Sequence, residues 1–173
     1  MFSYRLIFKP AIVFLFSTIW VLAACSGNSV ELAPSWRIYV DTQPFSTVAE
    51  ASKAEQHIDW SGDQYKKMAA CTHSFAAKEL NTYLKKVYRC EDQDSTFILM
   101  SSSTPLTENA IVLTDLQTAQ GNRALERIIQ DQQLAAKLDS KESFAIVPEK
   151  KRLYIIGAER TGPLYGVYHL LES

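Results

Sequence analysis

From Ser35 to Glu172, short β-branched and aromatic runs alternate with amphipathic helical patterns, which restricts the chain to a layered α/β architecture. Ser35 to Val40 reads as a strand. Asp41 to Asp63 is polar and irregular, broken by Pro44 and Gly62. It is expected to form a long loop with a short strand at His57 to Trp60. Thr72 to Tyr88 is the clearest helix. Its apolar residues Phe75, Ala76, Leu80, Tyr83, Leu84 and Val87 recur at three- and four-residue spacing, and Lys78, Glu79, Lys85 and Lys86 fall mostly on the other side. Thr72 or Ser74 is expected to cap its start, while Lys85, Lys86 and Arg89 suit the negative end of its dipole.

Strands follow at Thr96 to Met100 and Ala110 to Leu113, joined by a turn-rich loop. Asn122 to Leu138 reads as a second helix, with Leu125, Ile128, Ile129, Leu134 and Leu138 on its apolar side. Ser143 to Val147 and Leu153 to Ile156 flank Pro148 to Lys151, a hairpin signal. Proline at position 163 then opens a last helix, Leu164 to Glu172. The expected fold is one α/β (α+β) sandwich: a mixed β-sheet with helices mainly on one face, and no internal repeat.

The chain begins with a different kind of segment. Arg5 and Lys9 precede the apolar run Ala11 to Ala24, which is shorter than the roughly 20 residues of a spanning helix and has the form of a secretory signal. It ends in Leu22-Ala23-Ala24-Cys25, which resembles the bacterial lipobox, where the cysteine is lipidated and becomes the first mature residue. The expected organisation is a signal peptide over 1–24, a lipidated tether over 25–34 attached through Cys25, and one domain over 35–173. The expected location is the cell envelope, with a lipid anchor in the membrane. Cys25 lacks a following Asp, which favours the outer membrane in a Gram-negative cell.

A hydrophobic share of 47% excludes a disordered tail, and a formal net charge of −1 supplies no field for nucleic acid. Lys150-Lys151-Arg152, the densest basic run, sits between two apolar stretches and reads as a solvated turn. Cys71 and Cys90 lie near the two ends of the first helix. At ~1.5 Å per residue its ends stand about 25 Å apart, whereas a bridge needs Cα atoms within about 7 Å. Both thiols are therefore expected to be unpaired.

Catalytic signatures are sparse. No HExxH, CxxC or GxSxG occurs. Gly157 to Gly162 has P-loop glycine spacing, but Pro163 and Leu164 stand where Lys and Ser/Thr are required. His57, His73 and His169 are isolated in sequence and give no metal-ligand spacing, so neither metal nor cofactor is expected. Asp115 directly follows an apolar strand, where α/β folds often place functional groups, although Asp is also common in turns. In the last helix Leu164, Val167, Tyr168 and Leu171 form a stripe that can pack on the sheet, with Gly166 permitting close backbone approach. Tyr165, His169 and Glu172 form a second stripe, a candidate domain interface. No Gly follows Leu171, so the last carbonyls are expected to lack a cap.

The C-terminal third carries a resemblance. Glu142-Ser143-Phe144-Ala145-Ile146, then Leu153-Tyr154-Ile155-Ile156-Gly157, then Arg160-Thr161-Gly162-Pro163-Leu164-Tyr165-Gly166-Val167-Tyr168 resembles the domain that precedes the catalytic barrel in several glycoside hydrolases. These include the xylan α-glucuronidases and the β-N-acetylhexosaminidases. The helix from Ser74 to Leu84 is similar to their "A-EL-YL" helix, and the helix leading into Glu142 brings the chain nearest the α-glucuronidases. The resemblance spans residues 35–173 and is specific from 142 onward.

It implies a sheet with helices on one side, a role beside the active site, and polysaccharide as a further contact. The family's catalytic carboxylates lie in a barrel of roughly 200 residues or more that would follow Ser173. No position here corresponds to them, so the chain alone is expected to be inactive. The alternative is a stand-alone binding or interaction lipoprotein; a complete small hydrolase would need an acid–base pair that no motif reveals.

Overall fold

The computed structural model describes residues 30–101 and 104–173. The segment expected to be a signal peptide, and Cys25, lie outside the described residues. The strands are β1 (Arg37–Val40), β2 (Leu99–Ser101), β3 (Ala110–Asp115), β4 (Phe144–Glu149) and β5 (Arg152–Gly157). The helices are α1 (Val48–Ala51), α2 (Tyr65–Val87), α3 (Arg123–Asp131), α4 (Leu134–Lys137) and α5 (Gly162–Glu172), with a 3-10 turn at Ala54–His57.

One mixed sheet has the order β2-β1-β3-β5-β4. Its first four strands are parallel, and β4 runs antiparallel at the edge, joined to β5 by the expected hairpin. Pro148 on β4 is tolerated because an edge strand can spare a ladder donor. β3, between two parallel neighbours, is buried at every residue, as a strand covered on both faces must be.

The helices divide unequally between those faces. α2 and α5 cover one face: Ala76, Leu80 and Leu84 of α2 and Val167 and Leu170 of α5 pack on Ile38, Val40, Ile111, Leu113, Leu153 and Ile155. The short α3 and α4 cover the other, setting Leu125, Ile128 and Leu134 against Tyr39, Val112, Tyr154 and Ile156. Most helical length therefore lies on one face, as the sequence suggests, but the opposite face is closed too.

Several local expectations are corrected. α2 starts at Tyr65, a full two turns before Thr72, whose hydroxyl donates to the Met68 carbonyl (3.0 Å) as a mid-helix residue does. The extra turns bury Met68 and Cys71 in a small cluster with Ala54 and Ile58. The strand expected at His57 to Trp60 does not form; the segment leaves a 3-10 turn instead, and Trp60 Nε1 donates to the Glu55 carbonyl (3.1 Å). The helix expected over Asn122 to Leu138 breaks at Gln133, where φ is +53°. The nine residues from Leu125 to Leu134 rotate a straight helix by about 900°, which would place those leucines on opposite sides. The break returns Leu134 to the sheet. Asn122 still caps α3, its side chain accepting from the amides of Ala124 and Leu125.

Among the described residues no helix is long and apolar enough to cross a membrane. Cys71 and Cys90 are both buried and free.

Candidate functional site

All four parallel strands end at one edge of the sheet, at Val40, Ser101, Asp115 and Gly157. From β1 the chain crosses through α1 and α2 to β2 on one side, and then places β3 on β1's other side. This reversal between β1 and β3 is a topological switch point, where α/β sheets open a crevice beyond their carboxyl ends. Such a crevice is present. One part, of about 300 Å³, is lined by Asp41, Gln43, Tyr65, Lys66, Gln117 and Thr118 among others. A second, of about 410 Å³, continues toward Arg123 at the start of α3, and the two share Asp41, Thr118 and Gln120.

A buried polar pair lies behind Thr118. His73 of α2 and Asp115 of β3 are both fully buried, with Nε2 and Oδ2 at 3.2 Å. The approach is within ion-pair range but off the axis of the ring N–H, so it is a close polar contact and not an aligned hydrogen bond. Asp115 also accepts from the Thr118 amide (2.6 Å) and hydroxyl (3.0 Å). Burial alone would push the Asp115 carboxyl up. The His73 contact and the Thr118 donors outweigh it and hold the carboxyl below its ordinary value. Tyr65, at the first position of α2, is pushed far above the ordinary phenol range, first by burial and then by the neighbouring Asp115 carboxylate. Its hydroxyl is buried and makes no aligned hydrogen bond.

Groups with no exposure cannot touch a substrate. The His73–Asp115 pair therefore acts as an internal brace that fixes Thr118 and the α2 N-terminus at the lip of the crevice. In the sequence His73 and Asp115 stand far apart. The available signal was that His73 occupies the buried stripe of α2, in step with Ala69, Ala76, Ala77 and Leu80. A polar residue in such a stripe needs a polar partner on the facing strand, and Asp115 is the only carboxylate of β3.

The stripe proposed on α5 is divided by the structure. Tyr165 and Glu172 are exposed, whereas His169 is half-buried against the Phe144 ring of β4, with centroids 5.6 Å apart. The inward residues are Pro163, Gly166, Val167 and Leu170. Tyr168, expected inward, faces out beside Glu79 and Tyr83 of α2. Phe75, Tyr83 and Val87, also expected in the core, project outward from α2; together with Tyr165 and Tyr168 they are each 39–48% exposed. α2 thus has two apolar stripes, of which the sheet covers one. The last turn of α5 does find a cap, since Ser173 Oγ donates to the His169 carbonyl (2.7 Å).

Among the described residues no group of three or more His, Cys, Asp or Glu side chains could hold a metal ion. No family model, curated protein or solved structure matches the chain.

Proposed function

We propose that this chain is the lipid-anchored, non-catalytic N-terminal domain of a polysaccharide-degrading glycoside hydrolase of the xylan α-glucuronidase kind, bracing a catalytic barrel. The observation that carries the reading is the uncovered aromatic face of α2 and α5. Phe75, Tyr83, Val87, Tyr165 and Tyr168 are all exposed on two neighbouring helices, with Tyr168 beside Tyr83, and exposed apolar patches mark interaction sites. The most acid–base-like pair, His73 and Asp115, is sealed from solvent, which suits a supporting role.

Fusing the barrel of a xylan α-glucuronidase after Ser173 is expected to slow hydrogen exchange at the amides of Leu164 to Leu171 and to shield Tyr83, Tyr165 and Tyr168 from chemical modification. Unchanged exchange and unchanged tyrosine reactivity in the fusion would remove the docking reading.

Anchoring through Cys25 fits the entry of the chain. Val30 and Leu32 are buried beside Leu84 and Tyr88 at the amino edge of the sheet, and Tyr88 Oη donates to the Leu32 carbonyl (2.6 Å). Five residues span at most roughly 18 Å, so a lipid on Cys25 would hold this edge near the bilayer and leave the crevice opening away from it. Cys25→Ser is expected to release the protein from the membrane fraction and to abolish metabolic labelling by a fatty-acid analogue. Equal labelling of variant and wild type would exclude lipidation at this residue.

The crevice favours a second reading, a stand-alone binding lipoprotein. The DNA beyond the codon for Ser173 separates the two: an in-frame or frameshifted barrel supports the first, a stop and an unrelated gene the second.

A further inference from the structure

The crevice beyond β1 and β3 has a chemistry of its own, on a different surface from the α2–α5 face. The part beside α2 offers three exposed carboxamides, Gln43, Gln117 and Gln120, with the Thr118 hydroxyl, whose proton goes to Asp115, left as an acceptor. Each carboxamide both donates and accepts, which is the complement of a hydroxyl group. Asp41 already receives the Gln43 amide on Oδ1 (3.0 Å), leaving its other oxygen available as an acceptor. Ala70 and the Tyr65 ring provide an apolar surface.

Charge narrows the ligand class. Asp41 and Lys66 are opposite in sign, and the buried Asp115 carboxylate stands behind Thr118. An anion such as phosphate would meet two carboxylates, and a divalent cation would meet Lys66. The volume, about 300 Å³, lies at the lower end of the range for small-ligand pockets. We propose that this crevice binds a neutral polyhydroxylated ligand, of the class of a mono- or disaccharide unit, through the Gln43, Gln117 and Gln120 carboxamides and the Asp41 carboxylate. The site does not depend on the docking reading, since it would serve a braced or a free-standing domain equally.

The test is titration of the folded chain with xylobiose, cellobiose and maltose, and separately with inorganic phosphate, followed by backbone amide shifts. At least one disaccharide is expected to give saturable shifts confined to 41–43, 64–70 and 117–121, with affinity in the millimolar range. Gln43→Ala combined with Gln120→Ala removes two exposed side chains, so melting is expected to stay at the wild-type temperature while binding weakens about tenfold. No saturable shift with any disaccharide, tighter saturation by phosphate, or undiminished binding in the double variant would each overturn the assignment. None of these outcomes bears on whether α2 and α5 protect against exchange in the barrel fusion, so the two readings fail separately.

Discussion

His73→Ala is expected to cost about 3 kcal/mol of folding stability, because it removes the facing partner of a fully buried carboxylate and leaves only the Thr118 donors on it. That is a large part of the 5–15 kcal/mol that holds a typical domain folded, and it corresponds to a fall in Tm of roughly 10 °C. Asp115→Asn is expected to cost less. The amide oxygen can still accept the Thr118 N–H, and no isolated charge remains. Urea unfolding of both variants and of the double variant gives the coupling between the two side chains.

The pH dependence has a defined sign. Asp115 is held below its ordinary value in the folded chain, so its contribution is fully present above the unfolded carboxyl pKa of about 3.9 and is lost as pH falls from there through the folded value. Wild-type stability is expected to decline over that acid window, and Asp115→Asn to decline less. Equal acid sensitivity in the two proteins would remove the pair from the account.

Gly162→Ala is expected to have an effect of similar size for a steric reason. A Cβ at Gly162 would stand 2.5 Å from the Gly157 Cα and 2.6 Å from the Ser143 carbonyl oxygen. Both obstacles are backbone, and no rotamer change can relieve them. A Cβ at Gly157 would in turn meet Pro163, with the Glu159 carbonyl at 2.7 Å. The start of α5 is thereby pressed backbone to backbone on the end of β5. Overpacking commonly costs about 1–3 kcal/mol, and this rigid crossing belongs at or above the upper end. Thermal unfolding and near-ultraviolet circular dichroism are expected to show loss of α5 docking. Gly121→Ala is the contrast. It has φ +84° but nothing within 4 Å of the new Cβ, so only backbone strain of about 1–2 kcal/mol is expected. Near-wild-type melting of Gly162→Ala would show that β5 and α5 can separate freely.

These two sites show why part of the molecule was legible in sequence and part was not. The hairpin of β4 and β5 was legible because its pattern is local: two apolar runs around Pro148 to Lys151 have few alternatives. β1, β3 and the proline entry of α5 were legible for the same reason. The glycines at 157 and 162 stood out by their spacing, but that spacing alone pointed only to an excluded phosphate loop. The crossing that requires them exists only once α5 turns back over β5.

The sequence by itself determined the alternation of strands and helices, and with it the α/β class, because hydrophobic periodicity acts over a few residues. Only the tertiary structure decided which side of α2 faces the sheet. Phe75, Tyr83 and Val87 fit a helical stripe as well as Ala76, Leu80 and Leu84 do, and close approach to the strands selected the smaller, aliphatic set. The break at Gln133, which turns Leu134 back to the second face, was decided in the same way. So was the meeting of His73 with Asp115 behind the crevice. A polar pair between a helix and a strand distant in the chain has no local signature, since its partners meet only when the sheet orders β3 beside β1 and packs α2 across both.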